Sequence, residues 1–454
     1  MSNVTFMPIG GGHEIGANCY RFASDGHQVI LDAGTHPKKD GLGALPDFSL
    51  LTRAPDGVIV SHGHVDHCGS LPYLMKQFPT VCGYTTKPTL QIIDRMLHNS
   101  VSVMTTIALE RGIQEYPLYT HRDVEYAIRR TYGLPFHHEF ALTWESPFRV
   151  QFYSSGHVLG AASVLVRTPS HTLLYSGDIT MREQELMPGL TPIEENIEID
   201  TLVVESTRGA HHEEEGLDYA AEIARFAEAI RTVLLEGGTV LIPAFALGRS
   251  QEILNIIARL QREKRLPKVP VYTSGLGRAI YEIYDQYQNY LRPGAVLSPL
   301  EQFKRIGDVW ERKVVKDLLR EPSIIVATSG MMMENTPSAM IAAEMVTEKR
   351  HGIFFVGYVD PDTLGYKLLN ANPGDALTFE LSGTPVKVKL ENRQRFHFSA
   401  HAPREDLGAF IEMVKPKNIV FIHGDEDAIE YMRESYGAGC RKFAPRIGET
   451  VVLD

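Results

Sequence analysis

The sequence predicts an α/β protein of two domains, and three features carry that expectation. Apolar runs such as Val58-Ile59-Val60, Val150–Tyr153, Leu173-Leu174-Tyr175 and Leu202-Val203-Val204 alternate with amphipathic segments, the pattern of strands covered by helices. Several of these runs empty into a histidine or an acid at the same end, where α/β proteins place their sites. After Thr207 a second alternation begins, with buried-looking runs at Thr239–Ile242, Ile324–Val326 and Ile353–Val356 between helical segments. That suggests a parallel sheet of its own, and 454 residues exceed the usual single core.

In order along the chain, residues 4–7, 17–22 and 28–31 read as short strands separated by Gly10-Gly11-Gly12 and Asp25-Gly26. Val29-Ile30-Leu31 delivers Asp32-Ala33-Gly34, an acid at a strand end. Residues 58–60 lead into a polar loop, an amphipathic segment starts at Leu71, and residues 87–131 read as mostly helical. The next three strands end in Ser155-Gly156-His157, Ser176-Gly177-Asp178 and Glu205-Ser206-Thr207. His211-His212-Glu213-Glu214-Glu215 is a charged helix start, Ile223, Phe226, Ile230, Val233 and Leu234 form its apolar stripe, and Gly237-Gly238 stops it. Gly248-Arg249-Ser250 opens another helix. Alternation returns near Val386–Leu390, and Ile419–Ile422 empties into His423-Gly424. Ligand-type residues therefore come from both ends of the chain, so the middle is an insertion: residues 1–207, 208–382 and 383–454 are the expected segments.

Composition bounds the function. Hydrophobic content of 43% and charged content of 22% describe a globular protein. A net charge of −11 argues against a large basic nucleic-acid surface. The widely spaced Cys19, Cys68, Cys82 and Cys440 suggest neither a disulfide framework nor a thiolate zinc site. With no secretory signal in Met1–Phe6, a cytoplasmic protein is expected. No stretch approaches the roughly 20 apolar residues of a membrane span, so no membrane association is expected.

The chemistry is concentrated in Ser61-His62-Gly63-His64-Val65-Asp66-His67. Three imidazoles and a carboxylate within six residues suit a borderline divalent ion such as zinc, and packing does not explain four such groups this close. A two-metal hydrolase needs two sets of ligands and a bridging carboxylate. His62, His64 and His157 suit one ion, Asp66, His67 and His423 another, and Asp178 a bridge. A carboxylate at a buried strand end is costly unless paired or metal-bound. Paired cations bring the pKa of bound water towards ~7 and neutralise a phosphodiester, which favours phosphoryl chemistry.

His62-x-His64-x-Asp66-His67, with Asp32, His157 and Asp178 at strand ends, resembles the metallo-β-lactamase superfamily. Val204-Glu205-Ser206-Thr207, Ser399-Ala400-His401 and Ile422-His423-Gly424 resemble motifs A, B and C of its β-CASP nucleases, the group containing the pre-mRNA 3′-end cleavage endonuclease and RNase J. Leu241–Arg249 and Ser329–Met332 resemble segments of the domain inserted in that group, so the resemblance spans essentially the whole chain. It implies an αββα sandwich with an inserted α/β β-CASP domain, and two zinc ions, with manganese admitted by the same donors. It implies His62, His64, Asp66, His67, His157, Asp178 and His423 as metal ligands and Asp32 as the residue orienting a ligand histidine. Asp66, Glu205 and His401 are the implied catalytic residues, His401 protonating the leaving oxygen with support from Glu205.

Arg249, Ser250, Ser329 and Ser399 are the candidate phosphate contacts, although Arg249 and Ser250 suit a helix cap nearly as well. The histidine of motif C points to RNA rather than DNA. The expected function is thus a two-zinc phosphodiesterase for single-stranded RNA, an endoribonuclease before a 5′–3′ exonuclease, with a homodimer as the assembly to test. The alternatives are a hydrolase of small esters or nucleotides, and a non-catalytic RNA-binding scaffold.

Two positions depart from the resemblance. Arg208 stands where the eukaryotic endonucleases usually have tyrosine, and Ala402-Pro403-Arg404-Glu405 replaces the common aspartate soon after motif B. With no KH domain before Met1 and no long C-terminal extension, a minimal nuclease core is expected. The basic run of Lys304, Arg305, Arg312, Lys313, Lys316 and Arg320 reads as a solvated helix face, with RNA tracking as the alternative. Met331-Met332-Met333 reads as packing, and His13, His36, His137, His138, His211 and His212 are not expected to be ligands.

Overall fold

The structure is a computed structural model that describes residues 4–210, 218–379, 383 and 385–453. The chain divides into two compact units, one of Met1–Glu183, Met187–Glu213 and His401–Asp454, the other of Gln184–Leu186 and Glu214–Ala400. The helix-start residues His211–Glu215, and with them the expectation that His211 and His212 are not ligands, lie outside the described residues.

The first unit holds two seven-stranded sheets. One runs from edge to edge as Val451–Val452, Thr5–Gly10, Cys19–Ser24, His27–Leu31, Gly57–Ile59, Gly83–Thr86 and Thr131–Leu134. The other runs Arg441–Phe443, Asn418–Ile422, Thr201–Glu205, Thr172–Tyr175, Ala162–Arg167, Arg149–Ser154 and Phe140–Ala141. Period-two alternation decides what each strand buries. Phe22, Val29, Leu31 and Ile59 of the first sheet meet Val150, Phe152, Val164, Val203 and Val420 of the second. The opposite face of the first sheet, through Ile30, Val58 and Val60, packs on Leu71, Leu74, Ile93, Leu97 and Val124 from helices Leu71–Gln77, Lys87–Arg111 and His121–Arg129. The outer face of the second, through Ile419 and Phe421, packs on Leu407, Phe410, Ile411 and Ile429 from helices Arg404–Val414 and Glu426–Ser435. The layers are therefore helix, sheet, sheet, helix, the αββα arrangement the resemblance implies. The mostly helical segment 87–131 is two helices, because Thr86 caps the first, Gly112 ends it at φ 70°, and Thr131 begins an edge strand.

Parallel pairing brings the site loops together. Thr201–Glu205 lies between Thr172–Tyr175 and Asn418–Ile422, parallel to both, with Glu205 opposite Ile422. Asp178, Glu205 and His423 therefore leave neighbouring strands at one end. His27–Leu31 pairs in parallel with Gly57–Ile59, Leu31 opposite Ile59, so Asp32 leaves beside the loop of residues 61–67. Gly34 follows, and a Cβ there would stand 1.6 Å from the Asp66 carbonyl oxygen. Only a glycine lets the two backbones approach this closely.

The second unit holds a six-stranded sheet in the order Phe303–Arg305, Val271–Thr273, Ile324–Ala327, Val240–Pro243, Gly352–Phe355 and Asn392–Arg395, parallel throughout. Apolar clusters cover both faces, one around Phe226, Ile253, Ile257 and Phe354 and the other around Ile341, Met345, Phe355 and Leu368. Residues 383–400 differ from the sequence expectation. Pro385–Lys387 pairs with Ala376–Thr378 in a two-stranded ribbon, Asn392–Arg395 is an edge strand of this sheet, and the chain re-enters the first unit at His401. The charged, partly exposed residues of that edge strand hide its membership of a buried sheet from pattern reading. The basic run is likewise not one helix face: Lys304 and Arg305 sit on the edge strand, and the helix is only Arg312–Leu318. Of the methionine run, Met332 is fully buried while Met333 is exposed.

His351, at the start of Gly352–Phe355, is buried and accepts a hydrogen bond from the Thr239 backbone N–H at 3.0 Å on Nδ1. Burial, reinforced by Arg350, lowers its pKa to about 4. A folded pKa below the unfolded one gives stability that is fully present above about 6.5 and is lost as the pH falls towards 4. His351→Gln, which keeps an acceptor but does not titrate, is expected to flatten the pH dependence of urea unfolding between pH 7 and 4. An unchanged slope would remove His351 from that role.

Candidate metal centre

The site is built outward from buried carboxylates. Asp32 is fully buried and leaves its strand at φ 60°, a left-handed conformation an aspartate tolerates better than most residues. Oδ1 accepts from the Ser61 N–H at 2.6 Å; Oδ2 accepts from Ser61 Oγ at 2.8 Å, His67 Nδ1 at 2.7 Å and Tyr175 Oη at 2.5 Å. These bonds fix two histidines. His67 gives its Nδ1 proton to Asp32, so Nε2 keeps a lone pair, towards which Asn18 Nδ2 points at 3.1 Å. Ser61 has one hydroxyl proton and gives it to Asp32, so its oxygen accepts from His62 Nδ1 at 3.1 Å. His62 Nε2 is thereby also left as a bare donor atom.

Two sets of ligand atoms converge. His62, His64, His157 and Asp178 form one, and Asp66, His67 and His423 another. His62 Nε2 lies 2.9 Å from His64 Nδ1, which lies 3.1 Å from His157 Nε2. Asp178 Oδ2 stands 3.5 Å from His62 Nε2, 3.6 Å from His157 Nε2 and 3.4 Å from His67 Nε2, so one oxygen reaches both sets. Asp66 Oδ2 is 3.5 Å from His67 Nε2 and 3.4 Å from His423 Nε2. His423 leaves its strand at φ 50°, the second non-glycine left-handed residue at a strand end of the site.

Burial lowers the pKa of His62 far below its ordinary value and that of His64 below it. At His67 burial acts in the same direction, but Asp178, Asp66 and Asp32 outweigh it and raise the pKa. Burial would raise Asp66 and Asp178; His67, then His423, hold both below the carboxylate range. This donor set fits divalent cations: converging imidazole lone pairs with a buried carboxylate between them are costly without a positive centre. Asp178 Oδ1 supports the fit, being buried with no hydrogen-bond partner among the described residues.

Glu205 and His401 stand beside this cluster. His401 Nδ1 donates to Glu205 Oε2 at 3.0 Å and lies 4.0 Å from Asp178 Oδ2. Burial alone would lower the His401 pKa; Glu205 and Asp178 overcome it and raise it. Glu205 Oε1 accepts from the Ile179 N–H at 2.6 Å, so both oxygens are engaged by the chain itself. Asp178, Glu205 and His401 also converge closely enough for an ion, but these bonds make Glu205 a positioning carboxylate. Arg208 donates to the His401 carbonyl at 3.0 Å, and Pro403 stands at the N-cap position of helix Arg404–Val414 without a side-chain capping bond.

The candidate phosphate contacts belong to the second unit. Arg249 is buried and its guanidinium donates to Gln184 Oε1, and Ser250 Oγ donates to the Phe245 carbonyl at 2.7 Å. Neither is the helix cap, a position Gly248 takes, and the donors named here serve the unit's own backbone and side chains. Ser329 Oγ accepts from the Met333 N–H at 2.8 Å, while Ser399 is partly exposed. Sequence reasoning gave Ser61, Asn18 and Tyr175 no role. A hydroxyl or amide at a strand end is indistinguishable in sequence from a turn residue.

The comparisons agree with this geometry. Residues 14–220 match the metallo-beta-lactamase superfamily, residues 250–368 the Beta-Casp domain, and residues 385–438 the Zn-dependent metallo-hydrolase RNA specificity domain. The RNase J-like protein of Methanocaldococcus jannaschii is 30% identical, with 92% of this chain and 91% of that protein covered. Cleavage and polyadenylation specificity factor 73 of Drosophila melanogaster is 30% identical over 94% of this chain, which spans 60% of that relative's length. Integrator complex subunit 11 of Danio rerio is 28% identical, with 100% of this chain and 75% of that protein covered. A crystal structure of a protein of unknown function from Enterococcus faecalis V583 covers 99% of this chain at a TM-score of 0.58 and 17% identity, a likeness of fold alone.

Metal affinity is expected to fall as the pH drops below ~6.5, because protons then compete for the imidazole nitrogens of the cluster, and calorimetry in buffers of different ionisation enthalpy reads the proton release directly. Ser61→Ala is expected to weaken metal binding ~10–100-fold although it removes none of the seven candidate ligands, the usual effect of losing a partner behind a ligand. Unchanged affinity would mean that Asp32 orients His67 alone.

Proposed function

Because the chain belongs to the metallo-β-lactamase superfamily and carries a Beta-Casp domain, we propose that it is a metal-dependent RNA phosphodiesterase, an endoribonuclease before an exonuclease, that uses two zinc ions. The observation that carries this is the His401–Glu205 pair, 3.0 Å apart and 4.0 Å from the central carboxylate. A hydrolase of small esters needs the metal ligands but no such acid beside them.

His62, His64, His157 and Asp178 would hold one ion, Asp66, His67, His423 and the shared Asp178 the other. When bound, the ions supply a nucleophile from water at neutral pH and neutralise charge on the phosphate. The chain supplies the proton. Glu205 holds the Nδ1 proton of His401 and, with Asp178, raises the ring's pKa, which favours the charged form from which Nε2 gives its proton to the leaving oxygen. Asp32 and Ser61 keep the ligand nitrogens of His67 and His62 aimed inward before substrate arrives. RNA as the substrate class is supported by the histidine at position 423 and by the names of the matched relatives, among them the RNase J-like protein and an endoribonuclease of Gibberella zeae. Zinc is favoured by the nitrogen-rich donor set, with manganese as the other ion to assay. A homodimer is the assembly to test by light scattering.

The test is cleavage of end-labelled single-stranded RNA beside small esters and cyclic dinucleotides, with metal content measured on the same samples. His401→Ala is expected to lower RNA cleavage ~10²–10⁴-fold with both ions retained, the range for losing a positioned acid. Asp178→Ala is expected to abolish cleavage and reduce metal content. RNA cleavage untouched by either variant, or turnover confined to small esters, would overturn the proposal.

A further inference from the structure

Thr207 stands between two groups that the reading above treats separately. Its Oγ1 is 2.5 Å from Glu205 Oε2 and 2.8 Å from His423 Nδ1. A threonine hydroxyl has a single proton, and an ionised carboxylate only accepts. The short contact to Glu205 therefore takes the proton, and Oγ1 is left to accept from His423 Nδ1–H. His423 then turns Nε2 to the Asp66 side, 3.4 Å from Oδ2, while its Nδ1 also lies 3.5 Å from Asp178 Oδ1.

We propose that Thr207 is a positioning residue for the metal site: a hydroxyl relay, bonded to the Glu205 carboxylate on one side and to His423 on the other, that locks that histidine in its ligand tautomer. Ser61 occupies the equivalent place in the other set, giving its proton to Asp32 and accepting from His62 Nδ1. The two relays lie on different sheets and serve different ligands, yet each has the order carboxylate, hydroxyl, imidazole. Thr207 adds a coupling that Ser61 does not have, because the same Glu205 oxygen also accepts from His401 Nδ1. One carboxylate oxygen thus orients both the candidate acid and, through Thr207, a candidate metal ligand. Residues 205 and 207 and residues 401 and 423 are joined in one hydrogen-bonded chain.

The inference rests on His423 being a metal ligand and not on RNA being the substrate. Thr207→Val is isosteric and removes the hydroxyl; Thr207→Ser keeps it; Thr207→Ala guards against misfit of the valine. In the metal-free wild type, ¹⁵N NMR of the histidine rings is expected to show His423 protonated on Nδ1. Thr207→Val and Thr207→Ala are expected to mix the tautomers and to weaken binding of one of two zinc ions ~10–100-fold, while Thr207→Ser stays within a few-fold of wild type. Glu205→Gln is a second probe. The Ile179 N–H requires an acceptor at the Oε1 position, so the amide nitrogen would face Thr207, turn its proton towards His423 and reverse the tautomer. It should therefore weaken the same ion although Glu205 does not ligate it. Wild-type zinc affinity and an unchanged His423 tautomer in Thr207→Val would overturn the relay. Should the protein cleave no RNA while these metal and tautomer effects appear, the functional reading fails and the relay stands.

Discussion

The carboxylate of Asp32 is the fixed point of the first unit. It leaves one sheet, accepts four hydrogen bonds, and one of them comes from Tyr175 on the facing sheet. A fully buried carboxylate is expensive to desolvate, and removing any donor would leave that cost uncompensated. The surrounding geometry is therefore over-determined: Ser61 must sit at the start of the loop, His67 must turn its Nδ1 inward, and the sheets must meet at Tyr175. Gly34 follows from the same constraint, since the chain leaving Asp32 passes against the Asp66 backbone.

From that anchor the centre works by arranging protons. Each imidazole whose tautomer can be argued has its Nδ1 proton held by an oxygen behind it, which leaves Nε2 facing the cluster. His401 has the same kind of inner bond, to Glu205, and Glu205 and Asp178 raise its pKa as Asp178, Asp66 and Asp32 raise that of His67, whereas burial lowers that of His62 and His64. A histidine with a bare nitrogen can coordinate, and one that carries both protons can donate.

The second unit answers to different forces. Its parallel sheet is buried on both faces, and its long polar side chains are spent internally. Arg249 satisfies Gln184, and the Gln251 and Asn255 amides satisfy backbone and Tyr281. Arg249 and Ser250, which look like phosphate contacts by residue type, are buried and bonded within the unit. Burial, which periodicity predicts only coarsely, separates the two readings.

Much of the fold and of the converging donor cluster was legible in sequence because both are local. Period-two apolar runs name the strands, and the run from His62 to His67 places four donors on one loop whatever the rest of the chain does. His157, Asp178, Glu205 and His423 were legible because each follows an apolar strand directly. The edge strand Asn392–Arg395 was not, since its polar residues carry no burial signal. Nor were the roles of Ser61, Tyr175 and Thr207, which depend on partners up to 216 residues away. The sequence by itself determined which donors this protein has and roughly where they leave the strands. Only the tertiary structure decided which nitrogen of each ring is free, because that depends on where one proton goes, and its partners meet only when both sheets and the returning segment are in place.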